Sequence, residues 1–316
     1  MAETEFARES PLTIRPFDGS LADAEGLLAV EKATFDESPY SAAEVQAMLS
    51  EGWQRAWLAS DGEQIAGFVI GFPVHGLHRA WWEVDLLAVH PEWRGRRLGH
   101  RLIAETMAFG AGTCQRGRAL VADDNNASQQ AFLRAGFRVM PGGRELLILR
   151  PGEGGRRQRA RWGGSVREAS GPGEIAGYLA GRPVQEILAL PGGAVDWSTP
   201  ACGGQPGGRG PTLLVAEKET GEGEILISGY AELVEVETLL YRGIWIESLQ
   251  ATSAGARGAL VDRAVDLALV AGLDEISAVV YERDAAMQAA LRGAGFRSLG
   301  GFRWLAAEMP ESRACR

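Results

Sequence analysis

Hydrophobic positions change period several times along the first half of the chain, and each change marks an element. "LTIRPF" (residues 12–17) predicts a short strand, and residues 21–50 carry helical spacing. "RAWLASDGEQIAGFVIGFPV" (residues 55–74) is two apolar runs around Asp61-Gly62, a pair that favours the tight turn of a β-hairpin. A strand over residues 82–89 comes next, then a helix over 98–110 with Leu102, Ile103 and Met107 on one face. A strand over 118–122, a helix over 126–135 closed by glycine and an aromatic, and two last strands complete this unit.

The same pattern then runs a second time. "NNASQQAFLRAGFR" (residues 125–138) has a counterpart in "DAAMQAALRGAGFR" (residues 284–297). Strands "ALVAD" and "EISAVVYE" precede them, with "WWEVDLLAV" and "GIWIESLQA" further upstream. In the second copy Leu260, Val261, Ala264, Val265 and Ala268 form the apolar stripe of the long helix. Two domain-sized units are expected, over residues 10–150 and 164–310, joined by a linker at 151–163. Arg156, Arg157, Arg159 and Arg161 in and beside that linker read as a solvated charge run or as a site for an anionic partner. A glycine- and proline-rich loop at 190–211 is long for a compact domain, which marks it as mobile or as a lid. Strands interleaved with helices give an α/β (α+β) class: two tandem units, each a mixed, mostly antiparallel sheet flanked by helices.

Composition narrows the setting. The 316 residues are 46% hydrophobic, without a run long enough to span a bilayer and with a polar start, "MAETEFARES". A cytoplasmic protein without a membrane partner is expected. Cys114, Cys202 and Cys315 are scattered and form no CxxC spacing, so no metal is expected. A formal net charge of −9 argues against nucleic acid.

The chemistry concentrates in "VHPEWRGRRLGH", residues 89–100. Pro91 ends a strand, Gly95 and Gly99 let backbone approach a ligand, and a helix begins at about Leu98. Free amides at a helix start, beside arginines, are an anion site suited to a pyrophosphate. Val89, Pro91, Arg94 and Gly99, followed downstream by "DNNASQQAFLRAGF", resemble the acyl-CoA motifs of the GNAT acetyltransferases over nearly all of residues 12–150. One departure is Arg97, which stands where the family has its first signature glycine.

The resemblance implies a splayed sheet whose fourth strand offers Leu87, Ala88 and Val89 to the pantetheine arm of acetyl-CoA. It implies that Arg94, Gly95, Arg96, Arg97, Leu98, Gly99 and His100 hold the pyrophosphate, and that Asn125, Asn126 and Phe132 flank the arm. Family members often place a general-base glutamate where Glu83 stands; Glu83 is that base or an ion-paired carboxylate. Asp85 shares its strand parity and is expected to bind a cationic acceptor, or less favourably to act as base. The family's tyrosine acid falls on Phe132, which has no proton to give. Tyr40, His75 and His78 are further polar groups near the expected cleft, and paired Trp81 and Trp82 put one indole on each strand face.

The second unit resembles a GNAT domain with its CoA site dismantled. Leu87 to Gly99 spans twelve steps, whereas Leu249 to Ala256 spans seven, and the proline is gone. Trp245 takes the Glu83 position and Leu291 the tyrosine position. The expectation is an acetyl-CoA-dependent N-acetyltransferase with one working site, in the first half. It would act on a primary amine of a small molecule or a protein, with a homodimer possible. The alternative is an acyl-CoA-binding sensor without efficient catalysis.

Overall fold

The structure, a computed structural model, describes residues 12–35, 39–76, 80–151, 159–180 and 211–310. The loop at 190–210, His78, Arg156 and Arg157 lie outside the described residues. The first unit runs β1 (Thr13–Pro16), α1 (Leu21–Thr34), α2 (Ala42–Ser50), β2 (Arg55–Asp61), β3 (Gln64–His75), β4 (Ala80–Val89), α3 (Leu98–Gly110), β5 (Arg116–Ala122), α4 (Asn126–Arg134), β6 (Arg138–Val139) and β7 (Arg144–Leu149). The second runs β8 (Ser165–Glu168), α5 (Pro172–Ala180), β9 (Thr212–Glu219), β10 (Ile225–Glu237), β11 (Arg242–Ala251), α6 (Ala254–Val270), β12 (Glu275–Tyr281), α7 (Ala285–Gly293) and β13 (Arg297–Glu308). The class is the mixed, largely antiparallel α/β arrangement that the pattern predicts. β4 starts two residues before the strand read from the sequence, because Ala80 and Trp81 pair with His75 and Val74.

All the strands join in one sheet of order β1-β2-β3-β4-β5-β13-β7-β12-β11-β10-β9-β8, with β6 beside β13. The last strand of each unit is exchanged. β13 pairs antiparallel with β5, Leu305 opposite Ala119, and β7 pairs antiparallel with β12, Leu147 opposite Ala278. The cores follow the strands: Leu305 packs with Leu102, Ile103 and Met107 beneath α3, while Leu147 and Leu149 pack with Leu260 and Val261 beneath α6. Each buried leucine contributes roughly 1.5–3 kcal/mol to a core laid down by the other half's sequence.

Two irregularities shape the centre of this sheet. Ile70 faces Leu86 but Gly71 faces Val84, so Asp85 is the extra residue of a β-bulge in β4. Glu232 faces Ser248 but Leu233 faces Ile246, so Glu247 is the extra residue of the matching bulge in β11. The parallel pairing of β4 with β5 stops at Glu83 opposite Arg118, and residues 84–89 have no strand partner on that side. The strands part there, forming a wedge between them.

Candidate active site

The arginine-rich turn hangs from the end of β4. Pro91–Trp93 form a single 3-10 turn, after which Arg94 Nε donates to the Val89 carbonyl oxygen at 3.3 Å. Gly95 turns the chain with φ +81°, and the Arg96 guanidinium lies 4.6 Å from the centre of the Trp93 ring. Arg97 then adopts φ 59°, ψ 28°, and it is the one non-glycine with positive φ among the described residues. The family's glycine position has thus kept a glycine's backbone conformation, at a cost of about 1–2 kcal/mol for an L side chain.

α3 starts immediately afterwards, and no side chain caps it. By contrast Ser20, Ser41, Asn125, Ser253 and Asp284 cap α1, α2, α4, α6 and α7. The first amides of α3 are therefore unclaimed by protein side chains and stand beside four exposed residues, 94–97. Leu98 is 2% exposed, so its side chain belongs to the core and only its amide faces the turn. Gly99 sits where α3, α4 and β4 converge: a Cβ there would lie 3.3 Å from the Ala131 Cβ and 3.7 Å from the Leu87 Cδ2. His100 is half-buried one residue on.

Leu87 and Val89 are half-buried and Ala88 is buried along the unpaired edge of β4. Across the wedge, Asn125 Oδ1 accepts from the Ser128 amide at 3.0 Å, and Asn126 is exposed at the first position of α4. Phe132 is buried and stands edge-on to Phe137, with ring centres 5.0 Å apart.

At the other end of the wedge lies a cavity of about 340 Å³ with walls from both units, and Glu83, Asp85, Arg118, Tyr241, Glu247 and Glu275 supply much of its polar lining. Arg118 is its electrostatic centre. Its Nε donates to Glu83 at 2.5 Å, and its two terminal nitrogens grip Glu247 at 2.5 and 2.9 Å. Its guanidinium lies 4.6 Å from the Trp304 ring centre and 5.7 Å from that of Trp81. Burial works to lower the Arg118 pKa, but Glu247 and Glu83 outweigh it and raise it, so the guanidinium stays charged. One guanidinium cannot neutralise two carboxylates, and burial raises the Glu83 carboxyl despite the pair. Glu83 is thus bound within an ion triad.

Asp85 differs. The bulge turns it into the cavity, where its surface is exposed, yet the surrounding walls desolvate it. That desolvation, with the nearby Glu83 charge, lifts its carboxyl to about 7. Asp85 has no ion-pair partner among the described residues. Tyr241, from the second unit, keeps its proton because burial and then the Asp85 charge raise its pKa. Tyr40 and His75 do not line this cavity. Trp81 faces Arg118, whereas Trp82 Nε1 donates to Thr106 Oγ1 on α3 at 2.9 Å.

Sequence reasoning missed Arg118, Glu247 and Tyr241. The available signal was a lone charge inside an apolar strand: Arg118 in "GRALVA" and Glu247 in "IWIESLQA".

The corresponding corner of the second unit is closed by its own chain. Ser253 Oγ accepts from the Ala256 amide at 3.2 Å, which caps α6. Residues 160–162 cross its first turns, the Ala160 amide donating to Asp262 at 2.8 Å and Arg159 pairing with Asp266 at 2.9 Å. A Cβ on Gly258 would meet the Ala160 Cβ at 2.6 Å, and one on Gly255 the Trp162 Cδ1 at 3.0 Å.

Residues 25–137 match the acetyltransferase (GNAT) family. Mycothiol acetyltransferases from Rhodococcus opacus and Nocardia farcinica are 35% and 34% identical over 131 and 134 residues. Those matches cover 41% and 42% of this chain and 40% and 41% of the relatives, well under half of each. A GCN5-related N-acetyltransferase from Sphaerobacter thermophilus superposes with a TM-score of 0.56 at 18% identity, covering 95% of this chain and 96% of its own. A tandem GNAT protein from the clavulanic acid biosynthesis pathway superposes with a TM-score of 0.51 at 14% identity, covering 96% and 100%. Both likenesses concern the fold, and both extend over the two units.

Proposed function

We propose, from the match of residues 25–137 to the acetyltransferase (GNAT) family, that the chain transfers an acetyl group from acetyl-CoA to a primary amine at a single site in the first unit. The observation that carries this is the contrast between two matched helix starts. α3 is uncapped, open and flanked by arginines, whereas α6 is capped by Ser253 and covered by residues 160–162. An anion as large as the pyrophosphate of CoA fits the first and is displaced from the second.

In this reading Arg94, Gly95, Arg96, Arg97, Gly99 and His100 and the amide of Leu98 hold the pyrophosphate. The free edge of β4 at Leu87, Ala88 and Val89 faces the pantetheine arm, with Asn125, Asn126 and Phe132 on the far side. The acceptor occupies the inter-unit cavity, and Asp85 rather than Glu83 takes the first proton from its ammonium. Glu83 is engaged by Arg118, while a carboxyl near 7 is matched to the task at neutral pH. The freed amine nitrogen attacks the thioester carbonyl, and the C–S bond breaks. An ammonium that becomes an amide sheds two protons. One goes through Asp85 to solvent and the other serves the departing thiolate, so the hydroxyl that Phe132 lacks is dispensable.

Calorimetric titration of acetyl-CoA into the full chain tests the site. One site per chain is expected, weakened at least tenfold by Gly99→Glu and unchanged by Arg257→Glu in the first turn of α6. Two sites, or none, would overturn the proposal. Tight binding without thiol release across a broad amine panel would favour the sensor reading, which the missing hydroxyl at Phe132 supports.

A further inference from the structure

We infer that the second unit acts as the specificity wall of the acceptor site, and that the acceptor is a small amine with an apolar body and no carboxylate. This inference rests on the transferase function proposed above. Charge comes first. Four carboxylates line the cavity, Glu83, Asp85, Glu247 and Glu275, against two guanidiniums, Arg118 and Arg150. Both guanidiniums are already engaged, Arg118 by Glu83 and Glu247, and Arg150 by Glu275 at 3.2 Å. With Asp85 ionised the lining carries a formal −2. An ammonium is drawn to Asp85, whereas a carboxylate on the same ligand meets only occupied cations and a facing negative charge.

The rest of the wall is mostly apolar, and the second unit supplies about half of it. Trp245, Leu240 and Leu299 line the cavity together with Phe72 of β3, and Leu240 and Leu299 remain 44% and 49% exposed. Exposed leucines on the open side of an acidic cavity favour an alkyl or aryl body over a polyhydroxylated one. Size sets the limit. About 340 Å³ is close to eleven water volumes at roughly 30 Å³ each, room for about a dozen non-hydrogen atoms. A free small amine fits that space whole, whereas a polypeptide could insert no more than a side chain or a terminus.

The second unit's role then becomes concrete. Trp245 occupies in β11 the place that Glu83 occupies in β4, and Glu247 the place of Asp85, at the matching bulge. The first bulge presents a free acid to the acceptor. The second presents an acid already bound to Arg118, with an indole beside it.

The test is a thiol-release assay on the full chain with acetyl-CoA at pH 8. The matched acceptors are 2-phenylethylamine with phenylalanine and 3-methylbutylamine with leucine; glucosamine, spermidine and a short peptide are the competitors. Each amine is expected to exceed its amino acid by about 100-fold or more in kcat/KM, the scale of one unmatched charge in a partly enclosed site. Trp245→Ala is expected to raise KM for the amines tenfold or more while leaving KM for acetyl-CoA within twofold. Leu240→Lys, at an exposed position where folding is not at issue, is expected to narrow the amine-over-amino-acid ratio at least tenfold. Equal or better turnover of the amino acids, glucosamine, spermidine or the peptide would overturn this inference and leave the transferase proposal standing. A Trp245→Ala variant that weakens acetyl-CoA and amine alike would also overturn it. No thiol release with any acceptor would sink both.

Discussion

Replacing Arg118 by methionine is the sharpest perturbation the structure offers. The side chain is buried, makes three charged hydrogen bonds of 2.5, 2.5 and 2.9 Å, and joins β5 of one unit to β11 of the other. Methionine fills most of the volume but leaves Glu83 and Glu247, both nearly inaccessible, facing each other without a cation. Removing one partner of a buried ion group costs about 3–5 kcal/mol, chiefly from the stranded charge rather than the lost contact. The penalty must therefore depend on pH. Burial already raises the Glu83 carboxyl, and the variant removes the guanidinium that pulls it back down. Its contribution is then most favourable below the unfolded value of about 4.3 and is lost as pH rises through the raised folded-state value. Urea denaturation should accordingly show a small deficit at pH 5 and the full one at pH 8. Adding Glu83→Leu and Glu247→Leu to Arg118→Met should recover most of the loss. A deficit under about 1 kcal/mol at pH 8, or one that does not change with pH, would refute the assignment of Arg118 as the buried keystone.

Two further variants can be checked directly. Asp85→Asn is expected to lower kcat about 10²–10⁴-fold, and to remove the rise in rate that wild type shows as pH passes about 7. Because desolvation raises the Asp85 pKa, its ionisation costs stability progressively as pH rises from the unfolded value of about 4 to about 7, so the asparagine variant should resist urea better than wild type at pH 8. Arg97→Gly relieves a left-handed side-chain-bearing residue and is expected to match or exceed wild-type stability by up to about 1 kcal/mol; a clear loss in denaturant would show that the arginine side chain stabilises the turn.

Much of this was legible in the sequence because it rested on local rules. The Asp61-Gly62 hairpin, the helix start at Leu98 and the buried stripe of α6 each follow from periodicity and turn chemistry, and each stands where that reading puts it. What escaped depends on which strands become neighbours. Glu83 and Asp85 look alike by strand parity, but the bulge separates their fates: one enters an ion triad, the other faces open space. The partner that decides this, Glu247, lies far along the chain, and nothing near Arg118 announces the meeting. The repeat itself was plain in "AFLRAGFR" and "AALRGAGFR", yet a repeat says nothing of whether two copies keep or trade their last strands.

That trade sets an order of events during synthesis. The motif proposed to hold acetyl-CoA is complete once residue 138 has been made, but β5 gains its outer neighbour only when β13 emerges. The 175 residues from the end of β5 at Ala122 to the start of β13 at Arg297 take roughly 10–35 s to add at ~5–20 residues per second. Throughout that interval β5 offers an open edge, the feature that draws strands from other chains or from the wrong part of the same one. β7, made shortly after β5, is the strand nearest to hand, although in the finished sheet β13 lies between them. The half that carries the motif is therefore the half that the ribosome leaves unfinished longest.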